Sequence, residues 1–171
     1  DDSMKEHYTI VAPELEKRGF RGTFWMCGGW MPAEPQYDTT HFTWAEAKEM
    51  SDKGHEMSNH SWSHPNMTTL SEDELKEQIR KNDEAILANL GKPSTTFCFP
   101  YNAYNDAVLA EVMKHAKDDM AVVVKTNMHD GYKGGVSMEE GIEIARNIWN
   151  HGVHGIILSA GTVSRTPMLI L

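Results

Sequence analysis

The residues of this chain best spaced for chemistry are His60 and His64, in the run His60-Ser61-Trp62-Ser63-His64. Imidazoles at i and i+4 can reach one point in space when the backbone between them makes a single helical turn, the geometry a divalent ion asks of a histidine pair. Two ligands are an incomplete set, and the chain holds nine histidines, so a surface pair is the competing reading. Spacing alone leaves both open.

The elements around the pair favour function. Thr43 stands three residues before Glu46, a capping box that opens a short helix ending near Gly54. His55 to Ser58 then reads as a brief strand running straight into His60, which puts the pair at a strand's carboxyl end, where α/β folds keep their chemistry. A second box, Ser71 with Glu74, opens a helix to about Asn89 with Leu75, Ile79, Ile86 and Leu90 on one face and Gly91 as its stop. Upstream, Tyr8, Val11 and Leu15 mark a helix that Pro13 is expected to kink, followed by a strand over Phe20–Cys27 and a Gly28-Gly29 loop. Downstream come a strand over Thr95–Phe99 closed by Pro100-Tyr101-Asn102, a helix from Asp106 to about Lys117, a strand over Ala121–Thr126 and a glycine-rich loop over Asp130–Gly135. Ser137 with Glu140 caps a helix to about Asn150, and Val153 to Ser159 is the last apolar strand. Apolar strands alternating with amphipathic helices predict an α/β fold, parallel (β/α) units in a single domain over residues 1–171 that form an open sheet or a partial, distorted TIM-like barrel. So few strands would leave sheet edges open, which favours a homo-oligomer.

Composition narrows the partners. A formal charge of −9 lacks the clustered Lys and Arg expected for nucleic acid or an acidic membrane surface. No apolar run approaches the roughly 18 residues of a membrane span, and no basic-then-apolar leader is visible in this chain, so localisation stays open. Cys27 and Cys98 both lie in apolar runs and are expected to be buried small residues.

Over residues 1–110 the chain resembles the polysaccharide deacetylases of carbohydrate esterase family 4, metal-dependent hydrolases on a distorted (β/α) barrel. Asp1-Asp2-Ser3 resembles that family's Asp-Asp-Gly motif, His60-Ser61-Trp62-Ser63-His64 its His-Ser/Thr-x-x-His motif, and Pro100-Tyr101 the end of its Arg-x-Pro-Tyr motif. The resemblance implies Asp1 as general base, Asp2, His60 and His64 as ligands of a divalent metal, with zinc expected, and Tyr101 as donor of a backbone N–H to an oxyanion. It implies removal of acetyl groups from a carbohydrate substrate by metal-activated water. Two positions depart from the pattern: Cys98 stands where the motif has arginine, and Ser3 where it has glycine. The family's late catalytic histidine would have its counterpart in His154 or, less well, His151.

Residues 118–171 instead look like late strands of the old yellow enzyme family, flavin-dependent oxidoreductases on a TIM barrel. By that likeness Lys125 would face a flavin ring and the Ser159-Ala160-Gly161 backbone would approach an FMN phosphate. A join within residues 106–118 would make the chain a chimera. The alternatives to a deacetylase are therefore an FMN-binding barrel fragment and a catalytically inactive chimeric scaffold.

Overall fold

Each of the three capping boxes opens a helix. In the computed structural model, which describes residues 1–33, 39–115, 123–129, 136–153 and 155–160, the side chains of Thr43, Ser71 and Ser137 accept from the backbone N–H groups of Glu46, Glu74 and Glu140. The chain divides into two compact units, Asp1–Val112 and Met113–Leu171.

The first unit opens with a π-helical turn, His7–Val11, that runs into α1, Ala12–Lys17. Pro13, in the first turn of α1, has no N–H to donate, and the turn ahead of it is widened, with the Ala12 N–H reaching back five residues to the His7 carbonyl. The expected kink is thus a change of helix type. Strand β1, Thr23–Met26, pairs in parallel with β2, Glu56–Asn59, from Thr23 opposite Glu56 to Met26 opposite Asn59. Between them lies α2, Trp44–Asp52, and after them α3, Glu72–Leu90, which ends on a left-handed Gly91. The unit closes with α4, which spans Asp106–His115 and contains the boundary between the units.

Phe24 and Met26 from β1, Met57 from β2, Met50 from α2 and Ile86 and Leu90 from α3 form one core. Each such burial contributes about 1.5–3 kcal/mol. A second cluster packs Leu75 and Ile79 of α3 against Met67 and Val108. The clusters grip α3 along its length and hold its inner face against the ends of β1 and β2.

The strand expected over Thr95–Phe99 is reduced to a single parallel bridge between Phe97 and Asn59. The reason is local. The Ser58 hydroxyl takes the Thr95 and Thr96 N–H groups at 3.3 and 3.2 Å, in place of a backbone ladder. What remains of the pairing, Asn59 N–H to Thr96 O and Cys98 N–H to Asn59 O, still holds Cys98 beside the end of β2.

At the other end of β2 the half-buried Glu56 carboxylate accepts from Thr23 Oγ1 at 2.6 Å, Ser58 Oγ at 3.3 Å and Thr95 Oγ1. Burial opposes ionisation of Glu56, but these hydroxyls outweigh it and hold the carboxyl below its usual range. A depressed folded-state pKa stabilises at neutral pH and loses that contribution as pH falls through the folded value. The stability difference between the wild type and Glu56→Gln is therefore expected to shrink on acidification through the carboxylate range, as read by urea titrations at stepped pH. A pH-independent difference would contradict this role.

In the second unit β3, Val123–His129, pairs in parallel with β4, Gly155–Ala160, around α5, Met138–Asn150. The α/β class is as expected, and both sheets are parallel. The barrel is not found among the described residues: their four strands form two separate two-stranded sheets, too few to close. The Asp130–Gly135 loop lies outside the described residues.

Candidate metal centre

The polypeptide leaves β2 and turns at once. Ser61 and His64 both adopt left-handed backbone conformations, with φ of 69° and 55°. His60 and His64 therefore converge through a tight irregular loop, and the helical turn expected from their spacing is absent. Their ring centroids are 4.8 Å apart. The loop is held at its base: Asn59 Oδ1 accepts from the Ser61 N–H at 2.8 Å, and Ser61 Oγ accepts from the His64 N–H at 3.0 Å.

Opposite the loop, Asp2 and Ser3 are also left-handed, with φ of 68° and 55°. That conformation suits glycine, which explains why a glycine would serve at position 3. Ser3 is held there by being fully buried and by bonds on two sides: its Oγ accepts from the Cys27 N–H at 2.9 Å and its carbonyl from the Phe42 N–H at 3.0 Å. The double turn brings Asp2 Oδ1 to 3.3 Å from His60 Nε2 and 3.1 Å from His64 Nε2.

Hydrogen-bond accounting defines what this cluster can hold. His60 Nδ1 lies 2.7 Å from the Cys98 carbonyl oxygen, which can only accept, so Nδ1 carries the proton. Burial pushes the His60 pKa down, against the pull of the Asp2 charge, and favours the neutral ring. Nε2 then presents a bare lone pair to a carboxylate oxygen. Although both imidazoles stand within ion-pair distance, Asp2 Oδ1 is buried and has no hydrogen-bond partner. A buried carboxylate oxygen without a hydrogen bond, facing the bare Nε2 of His60, is unfavourable without a cation, and two imidazole nitrogens with one carboxylate suit zinc or a similar ion. Their donor atoms lie within 4.8 Å of one another.

Asp1 is exposed, and its carboxylate lies within 4.8 Å of a ring nitrogen of His60. Tyr101 follows the Phe97 bridge and Pro100, has a left-handed φ of 57°, and stacks its exposed ring edge-on against His64 at 4.5 Å. Trp30 flanks the other side of His64 at 5.1 Å. Cys27 is buried, and burial, with the Asp2 charge adding to it, pushes its thiol up to about 12, so it is an inert core residue as expected. Cys98 is only half-buried, unlike the expectation, and neither cysteine is in a disulfide.

The residues that sequence reasoning missed are asparagines. Asn82 is fully buried in the middle of α3. Its Nδ2 donates to the Met26 carbonyl at 2.7 Å and to Asn59 Oδ1 at 2.8 Å, and its Oδ1 accepts from the Gly28 N–H at 3.0 Å. Asn59 Nδ2 in turn donates to the Ile79 carbonyl and to Asp83. This network ties the end of β1, the end of β2 and α3 together directly beneath His60. Its signal was present in the sequence: Asn82 interrupts an otherwise apolar stripe of Leu75, Ile79, Ile86 and Leu90. Gly28 and Gly29 make the close approach possible, because a Cβ at position 28 would lie 2.5 Å from Asn82 Oδ1 and one at 29 would lie 2.7 Å from the Trp62 carbonyl.

His154 and Gly161 lie outside the described residues. His151 directs Nδ1 to the Asn147 carbonyl at 2.9 Å in the last turn of α5. Lys125 lies on β3, and Ser159 and Ala160 end β4.

Residues 1–118 match the family model described as Polysaccharide deacetylase. A peptidoglycan-N-acetylmuramic acid deacetylase, PdaA of Bacillus subtilis, is 28% identical over 116 residues, covering 67% of this chain and 41% of the relative. Among solved structures, the Streptococcus pyogenes deacetylase PplD superposes with a TM-score of 0.67 at 22% identity, over 93% of this chain and 62% of that one. A pseudoenzyme of carbohydrate esterase family 4, BA3943 of Bacillus anthracis, superposes with a TM-score of 0.57 at 22% identity, over 96% of this chain and 57% of that one. The chain spans less than half the length of the first curated relatives it matches. These likenesses carry the deacetylase fold across most of the chain, and the flavoenzyme and chimera readings of residues 118–171 find no support in them. Parallel βαβ units with glycine turns recur in many α/β folds, so such a stretch resembles more than one of them. With the family model covering the acidic pair, the histidine pair and Pro100-Tyr101, the chain belongs to the polysaccharide deacetylase family.

Proposed function

We propose that this chain carries the centre of a metal-dependent carbohydrate deacetylase, removing acetyl groups from a polysaccharide, with peptidoglycan as the first candidate because PdaA is named for that substrate. The observation that carries the reading is the buried, unpartnered Asp2 Oδ1 facing two imidazole nitrogens. Asp2, His60 and His64 would hold a divalent ion, expected to be zinc. Such an ion supplies Lewis acidity toward an acetyl carbonyl and makes water easier to deprotonate.

The protein's own groups do the rest. The Asp1 carboxylate takes the proton from the attacking water, and the backbone N–H of Tyr101 meets the charge that develops on the carbonyl oxygen. The Cys98 carbonyl fixes the His60 ring by accepting from Nδ1, the outer-sphere contact that orients a ligating histidine. Trp30 and Tyr101 flank His64 and keep its ring from rotating away.

Acetate release from acetylated peptidoglycan fragments and from N-acetylated chitooligosaccharides tests the reading. Chelation is expected to abolish release and added zinc to restore it. Asp1→Asn is expected to lower the rate about 10²–10⁴-fold while zinc affinity is retained. Release that ignores the chelator would overturn metal dependence. One observation favours a second reading, an inactive binding member of the family: Cys98 occupies the position of the motif arginine. That reading predicts zinc binding with no acetate release from either substrate.

A further inference from the structure

Besides the Asp2, His60 and His64 cluster, a second set of donors overlaps it: the Asp1 carboxylate, a ring nitrogen of His60 and the Cys98 sulfur all lie within 4.8 Å of one another. Donors bound to one ion sit at most about 4.6 Å apart, twice a metal–sulfur bond of about 2.3 Å, so small side-chain rotations bring this set onto a single ion. The two sets share His60, whose Nδ1 is committed to the Cys98 carbonyl, leaving Nε2 as its one lone pair. They therefore describe one ion with a choice of ligands.

We propose that Cys98 is a metal ligand of this chain, so that a thiophilic divalent ion at His60 is held through sulfur with Asp1 and His60. The inference rests on the reading that His60 binds a metal. Three observations point to it. Cys98 is half-buried, accessible enough to reach an ion yet shielded from bulk water. Its backbone is pinned to the end of β2 by the Cys98 N–H to Asn59 O bond and again by the His60 ring, which holds the Cys98 backbone beside the imidazole. His60 itself is only 2% exposed, and its Nε2 lies 3.3 Å from the Asp2 carboxylate, a group that does not donate a proton when ionised. Coordination replaces the S–H bond by a metal–sulfur bond and releases the proton to solvent, with no change of oxidation state. The consequence is selectivity: a soft thiolate favours cadmium, so cadmium is expected on Asp1, His60 and Cys98, whereas borderline zinc stays with Asp2, His60 and His64, and manganese or magnesium take oxygen ligands.

The test is spectroscopic and needs no substrate. Cobalt(II) and cadmium(II) are titrated into the full chain, its Cys98→Ser variant and its Cys27→Ser variant, while manganese(II) serves as an oxygen-preferring control. With cadmium, the wild type and Cys27→Ser are expected to develop a sulfur-to-metal charge-transfer absorption that Cys98→Ser lacks, whereas cobalt, a stand-in for zinc, is expected to bind without one. Cadmium affinity is expected to fall at least 10–100-fold in Cys98→Ser, by analogy with the loss of outer-sphere contacts, with manganese affinity little changed. Cadmium binding without a sulfur band, or a band that survives in Cys98→Ser, would overturn the role of Cys98 while leaving a metal at His60 intact. Failure of the wild type to bind any of these ions would overturn both.

Discussion

His60→Ala is expected to weaken zinc binding by more than about 100-fold and to reduce acetate release to background. Losing an outer-sphere partner of a ligating histidine alone costs about 10–100-fold in affinity, and removing the ligand costs more. The same change should also destabilise the protein by about 1–3 kcal/mol, since the Cys98 carbonyl loses the imidazole N–H it accepts from. His64→Ala separates the two effects. Its side chain is more accessible than that of His60, so zinc affinity should fall comparably with a smaller loss of stability. Asp2→Asn gives the sharpest signature. In metal-free protein an amide in place of the carboxylate can donate to the bare Nε2 of His60, so the metal-free variant should be more stable than the wild type, by about 1 kcal/mol, while binding zinc far more weakly. A chain in which Asp2 were a simple ion-pair partner would lose stability instead. Calorimetric zinc titration with urea denaturation in chelator distinguishes these outcomes.

Asn82→Ala is the second large effect. It removes donors to the Met26 carbonyl and Asn59 Oδ1 and the acceptor of the Gly28 N–H in a fully buried site. Unsatisfied buried groups cost about 1–3 kcal/mol each, so the expected loss is about 3–5 kcal/mol after partial relaxation. Leucine at this position should not rescue it, because the Gly28 N–H would face an apolar side chain. The damage should reach the metal centre. Asn59 Oδ1 also fixes the Ser61 N–H, so a loosened Asn59 frees the left-handed turn that aims His64. Zinc affinity of the folded fraction is expected to drop about 10–100-fold, as for other supporting contacts. Equilibrium denaturation and zinc titration under native conditions read the two consequences. A loss of stability with zinc affinity untouched would show that the asparagine network supports the core alone.

These predictions also mark what the sequence could and could not reveal. The helices were legible because their ends carry local chemistry: Thr43 with Glu46, Ser71 with Glu74 and Ser137 with Glu140 each reciprocate hydrogen bonds within one turn. Strand β1 was legible in the β-forming run Phe20–Cys27, and β2, whose one apolar residue is Met57, was still rightly seen to deliver His60. The strand over Thr95–Phe99 was overestimated because the Ser58 hydroxyl takes its N–H groups, a tertiary contact that propensity does not contain. The histidine pair was found for a partly mistaken reason. Its spacing suggested a helical turn, whereas left-handed Ser61 and His64, together with left-handed Asp2 and Ser3 across the site, bring the ligand atoms together. Such conformations at non-glycine residues are selected by hydrogen bonds, some local, as in Asn59 Oδ1 accepting from the Ser61 N–H, and some from distant segments, as in the Cys27 N–H donating to Ser3 Oγ, and the distant ones leave no local mark. Asn82 could have been singled out as a polar residue within a core stripe, although its partners could not.

The most direct test of the metal centre is a zinc-edge anomalous difference map from crystals grown with zinc. A single strong peak about 2.0–2.2 Å from Asp2 Oδ1, His60 Nε2 and His64 Nε2 is the expected result. Zinc peaks confined to the surface, with Asp2 Oδ1 hydrogen-bonded by protonated imidazoles and no density between the three side chains, would contradict it.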